Sequence, residues 1–231
     1  MTIMEIMKYP IVVYIFLGLF IIASILQLAF AFIENQKLRR KEKVLCMMML
    51  GIAAIFAFPN HPLIYIGAVL GMIGDWCVLR KKTFNIGVVA FFLGHISYIF
   101  ECLFMIVGEE NIRWFNHMVF IMTYIVVALV MFAICKNVAR HHTMLNNIAQ
   151  SFYYAILAVY IPVFSFAVAK VGSFMFLSLI GSIVFIISDS ILVVTHFGRK
   201  FKRYDFYIML TYLLAELLIL SGFVLTLIYL K

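Results

Sequence analysis

The feature that most constrains this chain is a succession of long apolar runs, broken only by short charged or proline-containing stretches. The runs lie near residues 11–33, 44–58, 63–79, 84–107, 114–135, 148–170, 173–197 and 205–230. Roughly 20 apolar residues in an α-helix cross a bilayer core, and unpaired backbone amides are too costly there for irregular structure. The sequence therefore predicts an all-α integral membrane protein with about eight transmembrane helices. Because no linker divides the chain, residues 1–231 are expected to form a single transmembrane domain.

Charged residues are too scarce for a soluble fold, and they are unevenly placed. They make up 12% of the chain, against roughly a quarter in soluble domains. Fourteen of the 18 Lys and Arg residues fall in alternate connections, within 37–43, 80–82, 136–140 and 199–203. Since basic residues accumulate on the cytoplasmic side, the first connection is predicted to lie inside and both termini outside. This placement argues against nucleic-acid binding, despite a formal net charge of +8.

Five ionisable side chains interrupt the apolar runs: Asp75, His95, Glu101, Asp189 and Glu216. Each costs roughly 2.5–3.5 kcal/mol at a helix centre on insertion scales, so each is a candidate functional residue. Counting 1.5 Å per residue from the basic connections places four of them between the inner interface and the midplane. The same count places Glu101 in the outer half. All but Glu101 are therefore expected to converge.

Helical spacing gives these acids an inward direction. Gly67, Gly71 and Asp75 recur every four residues, and such a stripe of small residues lets another backbone approach closely. Ser182 and Asp189 share a face of the seventh run. Hydrogen-bonded packing between helices remains the alternative interpretation for any one acid. Two tyrosines also lie one turn from an ionisable residue, Tyr98 from His95 and Tyr212 from Glu216.

The polar residues fall into four short motifs in a fixed order. They are Gly74-Asp75, then Phe84-Asn85-Ile86-Gly87 with His95-Ile96-Ser97-Tyr98, then Ser188-Asp189, and finally Thr211-Tyr212 with Ala215. Together they resemble the YhhN-like lysoplasmalogenase family, whose eight-helix members carry GD, F-x-x-G…H-x-x-Y, SD and T-Y-Y-x-A-Q motifs. The resemblance extends from about Lys43 to Leu218. Each motif is weak alone, and their shared order makes the resemblance specific.

The resemblance implies roles for individual residues. Asp75 and Asp189 match the family's two acids for acid–base catalysis. The residues expected to support them or to bind substrate are His95, Tyr98, Lys43, Ser188, Tyr212 and Glu216. There are two departures, because Leu213 replaces the second Tyr of the last motif and Glu216 stands where the family usually has Gln. A third acid would either hold a proton or repel Asp189, which leaves the role of Glu216 open.

The reaction that the resemblance implies is hydrolysis of the sn-1 vinyl ether of an ethanolamine or choline lysoplasmalogen. The products are a fatty aldehyde and a glycerophospho-alcohol. Vinyl ethers yield to acids because the slow step is proton transfer to the β-carbon, and a carboxylic acid in an apolar bundle can supply that proton. No cofactor or metal is expected. The expected partner is a lysophospholipid from the membrane, with its phosphate beside Lys43 or residues 80–82.

Three other functions fit parts of the pattern. A small transporter also carries acids near the midplane, but it predicts two matching halves, and no internal repeat is evident. An aspartyl intramembrane protease uses two transmembrane acids, yet Gly71-Met72-Ile73-Gly74-Asp75 departs from its G-x-G-D spacing. A member that binds lysolipid without hydrolysing it is the third. The composition favours a bacterial cytoplasmic membrane, with the endoplasmic reticulum expected in a eukaryotic host.

Overall fold

The structure is a computed structural model that describes residues 10–34, 36–78, 80, 82–107, 121, 124, 125, 129, 144–197 and 200–229. Over these residues the regular structure is entirely α-helical. The seven helices with defined bounds in this part of the chain are α1 (Pro10–Phe32), α2 (Gln36–Ala57), α3 (Pro62–Val78), α4 (Phe84–Val107), α5 (Met144–Lys170), α6 (Met175–Phe197) and α7 (Tyr204–Tyr229).

Seven of the eight predicted runs coincide with these helices, and six of them agree within about four residues at each end. The largest difference is in α2, which begins at Gln36 although the basic residues from 37 to 43 had been assigned to a connection. Lys, Arg, Glu and Gln are good helix formers, so the helix continues through the basic cluster instead of starting after it. The predicted run at 114–135 lies outside the described residues, apart from isolated positions.

Four helical segments are long and apolar enough to cross a membrane: Ile11–Phe32, Phe84–Ile106, Met175–Thr195 and Tyr204–Leu227. Three shorter helical segments are also apolar: Lys43–Ala57, Pro62–Val78 and Leu157–Lys170. Large apolar side chains stay exposed along α1, including Ile11, Ile15, Ile22 and Ile25. Hydrocarbon is the medium in which such exposure carries no penalty. The chain is therefore a membrane-embedded helical protein.

The chain divides into two compact units, and unit 1 comprises residues 1–101 with 227–231. Within it, α3 and α4 form an antiparallel pair that touches through glycines. A Cβ added at Gly94 would lie 3.1 Å from the Gly67 carbonyl oxygen, and one at Gly87 would lie 2.9 Å from that of Gly74. These small residues let the two backbones cross in contact, as the glycine stripe predicts.

Unit 2 comprises residues 102–226, and its α6 and α7 also pack closely through glycines. A Cβ added at Gly181 would lie 2.9 Å from the Ala215 carbonyl oxygen, and one at Gly222 would lie 2.7 Å from the Ser178 backbone nitrogen. The Ser178 hydroxyl also donates a hydrogen bond of 2.8 Å to the carbonyl of Ile219. Such bonds and close contacts replace the hydrophobic driving force that lipid does not supply between helices.

Candidate active site

The predicted site residues are buried and are divided between the two units. Unit 1 holds Lys43, Asp75, His95 and Tyr98, and unit 2 holds Ser188, Asp189, Tyr212 and Glu216. Apart from Lys43, each of these residues is at most 7% exposed. The acids are thus buried, as their predicted inward direction requires. Their convergence on one pocket stays a prediction.

In unit 1 the carboxylate of Asp75 forms a buried ion pair with Lys43. The lysine Nζ lies 2.9 Å from Oδ1 of the aspartate, and the two side chains are 13% and 0% exposed. Lys43 belongs to α2 and Asp75 to the last turn of α3, so the pair joins two helices. A buried carboxylate without a cation would be strongly destabilising. The Lys43 ammonium, expected beside a substrate phosphate, is thus engaged by Asp75.

The small-residue face of α3 also receives aromatic rings from α4. A Cβ at Gly67 would lie 2.5 Å from the ring of Tyr98, and one at Gly74 would lie 2.9 Å from the ring of Phe91. His95 lies one turn before Tyr98 on α4 and is 2% exposed. A side chain at either glycine would displace a ring. The packing of the two rings therefore fixes the orientation of α3 against α4 at the residues that follow Gly74.

Glu101 belongs to a different part of unit 1. Its carboxyl Oε1 lies 2.7 Å from Nδ1 of His61, in the turn that precedes α3. Asp75 lies 14 residues further along α3, which is about 21 Å at 1.5 Å per residue. Glu101 therefore pairs at the opposite end of α3 from Asp75, in agreement with the expectation that it stands apart.

In unit 2 the two acids share a neighbour, Tyr160. Its hydroxyl interacts electrostatically with the carboxyl group of Glu216 and, more weakly, with that of Asp189. Tyr160 is fully buried, and Asp189 and Glu216 are 7% and 3% exposed. The three residues come from α5, α6 and α7.

Tyr160 was not predicted as a site residue, because a tyrosine within an apolar run is typical of packing. Its ring does pack, edge-on, against Phe164 at 5.3 Å between ring centroids. Phe164 in turn meets Phe223 of α7 at 5.9 Å. The sequence signal beside it is Pro162 inside α5, which removes a backbone donor from that turn. The electrostatic interaction of the hydroxyl with two acids depends on three helices, so spacing along one helix does not reveal it.

Two of the predicted supporting residues hold α6 against α7. The Ser188 hydroxyl donates a 3.1 Å hydrogen bond to the carbonyl of Ile208. The ring of Tyr212 meets that of Phe185 edge-on, with centroids 5.7 Å apart and planes at 75°. Because Ser188 precedes Asp189 directly, these contacts set the position of α6 at the acid.

The arrangement is suited to moving protons. Unit 1 offers an ion-paired carboxylate, and unit 2 offers two carboxyl groups and a phenol that interacts electrostatically with both. Groups of this kind act as general acids and bases when a reacting atom comes within hydrogen-bond distance. Within the described ranges, no group of three or more His, Cys, Asp or Glu side chains is placed to hold a metal ion.

The four motifs and both aspartates lie in a stretch that a protein-family model matches. The model of the YhhN family covers residues 38–223, most of the chain. The chain belongs to the YhhN family. This is the family of lysoplasmalogenases, and the resemblance carried by the ordered motifs is thereby confirmed.

The YhhN match includes every predicted site residue, from Lys43 to Glu216, and it begins after α1 ends at Phe32. Comparison with curated proteins and with solved structures gave no significant match.

Proposed function

We propose that this YhhN member is a lysoplasmalogenase that hydrolyses the sn-1 vinyl ether of an ethanolamine or choline lysoplasmalogen. The observation that carries the proposal is the family match over a stretch that contains both buried aspartates. The different surroundings of the two acids support it further, because the reaction needs a proton donor and a separate negative group. The products are a fatty aldehyde and a glycerophospho-alcohol.

The reaction consumes one water and no redox partner. A proton adds to the β-carbon of the vinyl ether, and the C=C electron pair forms the new C–H bond and leaves an oxocarbenium ion. Water then attacks the α-carbon and loses a proton, which gives a hemiacetal. The hemiacetal C–O bond to glycerol breaks with proton transfer to the leaving oxygen and releases the aldehyde. Each step needs a positioned acid or base.

The surroundings suggest how the acids divide this work. Asp75, held as a carboxylate by Lys43, stabilises the oxocarbenium ion and accepts the proton of the attacking water. Asp189 shares its apolar surroundings with Glu216 and Tyr160, an arrangement in which one carboxyl group retains a proton for delivery to carbon. The mechanism requires that both aspartates act on the same substrate molecule.

We propose further that the chain spans a bacterial cytoplasmic membrane eight times with both termini outside. The α3–α4 connection then faces the cytoplasm and meets the substrate head group. Because Lys43 is engaged by Asp75, the phosphate falls to the basic cluster around Arg80, whose guanidinium stacks on Trp76 with its carbon 5.1 Å from the ring centroid. Replacing Arg80 and Lys82 by Glu should raise KM more than it lowers kcat, and unchanged kinetics would contradict this placement.

The test is aldehyde release by the purified protein from 1-alkenyl-lysophospholipid in deuterated water. The expected aldehyde carries one solvent-derived deuterium on the carbon next to its carbonyl group. The matched 1-alkyl- and 1-acyl-lysophospholipids should remain intact, since neither forms the oxocarbenium ion by protonation at carbon. Release of fatty acid from the acyl lipid, or of aldehyde without deuterium, would contradict the mechanism.

The specific alternative is a YhhN member that binds lysolipid without cleaving it. Leu213 and Glu216 favour it, because both depart from the family's last motif. Saturable binding of 1-alkenyl-lysophospholipid without aldehyde release would assign this function in place of hydrolysis.

A further inference from the structure

The side chain of Gln27 in α1 is a buried amide that the mechanism above does not use. Gln27 is 0% exposed. Among the described residues neither its Nε2 nor its Oε1 has a hydrogen-bond partner, and the hydroxyl of Ser24, one turn earlier on the same helix, is buried and unpartnered as well. Buried polar groups without partners are rare, because each gives up its hydrogen bonds to water. This loss indicates a partner outside the residues that the structure describes.

The position of Gln27 relates it to the candidate site in unit 1. α1 and α2 pack against each other and are joined by a short turn after Phe32. Gln27 lies five residues before the end of α1, about 7.5 Å, and Lys43 lies seven residues after the start of α2, about 10.5 Å. In this antiparallel pair the Gln27 amide and the Lys43–Asp75 ion pair are therefore at nearly the same depth.

The chemistry of an amide narrows the choice of partner. A glutamine side chain donates through Nε2 and accepts through Oε1, and a hydroxyl group can answer both. A phosphate or an ester carbonyl only accepts, which would leave Oε1 unpaired. A lysolipid has one hydroxyl that a diacyl lipid lacks, at the sn-2 carbon. That carbon neighbours the one that carries the sn-1 ether.

We propose that Gln27, assisted by Ser24, binds the free sn-2 hydroxyl of the lysolipid, a role that rests on the proposed function. The amide holds the glycerol backbone at the depth of Asp75 and thereby positions the sn-1 ether for reaction. A lipid acylated at sn-2 cannot donate a hydrogen bond from that position, so the amide would remain unsatisfied. Gln27 thus selects lysoplasmalogen over plasmalogen, from a helix that lies before the residues matched by the family model.

Binding of uncleavable lipids tests this role apart from catalysis. The probes are 1-alkyl-2-hydroxy-glycerophosphoethanolamine and its 2-deoxy counterpart, titrated against the wild-type protein and Gln27→Met. The wild type should prefer the 2-hydroxy probe about tenfold, the usual worth of one good hydrogen bond. The variant should lose the preference while its affinity for the 2-deoxy probe stays unchanged. An equal preference in both proteins would overturn the proposal.

Thermal unfolding without lipid distinguishes binding from a structural role. Gln27→Met removes unpaired polar atoms and keeps the volume, so the lipid-free variant should be at least as stable as wild type. A lower Tm for Gln27→Met would mean that the amide serves the fold, and would overturn the proposal. As a matched control, Val13→Ala, on the buried face of α1, should lower the Tm and leave the probe preference intact.

Kinetics separate this inference from the proposed function. If the wild type releases aldehyde, Gln27→Met should lower kcat/KM about tenfold for 1-alkenyl-lysophospholipid and leave the 2-deoxy substrate unaffected. If the wild type releases none, the proposed hydrolysis fails, and the binding preference still decides the role of Gln27. A preference that survives in Gln27→Met would point to a buried water as the partner of the amide and would reject lipid recognition.

Discussion

Units 1 and 2 both bury acidic side chains in an apolar core, and they accommodate them in different ways. In unit 1 a cation, Lys43, lies 2.9 Å from Asp75. In unit 2 both Asp189 and Glu216 interact electrostatically with the phenol of Tyr160, which carries no positive charge. The proposed function uses this contrast: Asp75 acts as a carboxylate, and Asp189 acts as an acid that delivers a proton.

The two units pack their helices in a similar way, so their acids can be compared directly. In each unit an antiparallel helix pair crosses through glycines, α3 with α4 and α6 with α7. The first helix of each pair carries the aspartate. In each unit a third helix supplies a side chain that interacts with the aspartate, Lys43 of α2 in one unit and Tyr160 of α5 in the other.

Removing the Lys43 cation should have the largest effect on stability, because it removes the feature that distinguishes unit 1 from unit 2. Lys43→Met leaves the buried Asp75 carboxylate uncompensated and should lower the free energy of unfolding by about 3–5 kcal/mol. The double variant with Asp75→Asn should recover most of that stability, because both members of the pair are gone, and should remain inactive. Denaturant unfolding in detergent measures both effects, and a Lys43→Met protein as stable as wild type would show that the ion pair is not needed by the fold.

Substituting the glycines at the helix crossings should lower the stability of both units to a similar degree. Gly87→Ala and Gly222→Ala each place a Cβ against backbone atoms of the opposite helix and should cost about 1–3 kcal/mol. Gly51→Ala in α2 is the matched control, because a Cβ there meets nothing within 4 Å. Helix propensity alone should stabilise that variant by up to about 1 kcal/mol. Thermal unfolding of the three variants measures the order of their stabilities. Equal shifts in Tm would contradict the close crossings at Gly87 and Gly222.

Loss of the phenol should reduce activity without harming the fold. Tyr160→Phe keeps the ring that packs on Phe164 and removes only the hydroxyl that interacts electrostatically with the two acids. We expect kcat for aldehyde release to fall about tenfold, with KM and Tm nearly unchanged, since the loss is of one hydrogen-bonding group. Tyr204→Phe at the start of α7 is the control and should match wild type. A rise in KM alone would assign Tyr160 to substrate binding.

Restoring the family's usual Gln in place of Glu216 should have the smallest effect on activity. Glu216→Gln removes the third acid and keeps the volume of the side chain. If Asp189 is the proton donor, kcat should change by less than about tenfold, well below the loss expected for an essential general acid. Steady-state kinetics measure this, and a loss as large as that of Asp189→Asn would make Glu216 the donor.

How far the sequence predicts the site depends on how many helices each feature involves. The burial of Asp75 and Asp189 follows from small and polar residues at helical spacing on one helix each. The pairing of Lys43 with Asp75 and the electrostatic interaction of Tyr160 with two acids require the packing of two or three helices, which the periodicity of one helix does not reveal. Gln27 gives no signal either, because a single amide in an apolar run matches no motif.

The fold, too, was predictable where the signal lies within a single helix. Apolar length alone located the described helices, since hydrocarbon thickness sets the length of a span. The basic residues before Lys43 suggested a connection, yet they extend α2, because charge marks the membrane interface and does not end a helix. The pairing of particular helices through Gly87 and Gly222 had to come from the structure.

The most direct test of the central idea is the rate of aldehyde release by Asp75→Asn and Asp189→Asn, compared with wild type on 1-alkenyl-lysophospholipid. Folding is verified in each variant by thermal unfolding, with the Lys43→Met/Asp75→Asn protein as a second variant for unit 1. Both substitutions should reduce kcat by at least about a hundredfold, because each removes a group that transfers or balances charge in the transition state. A folded variant of either aspartate that retains the wild-type rate would contradict the mechanism.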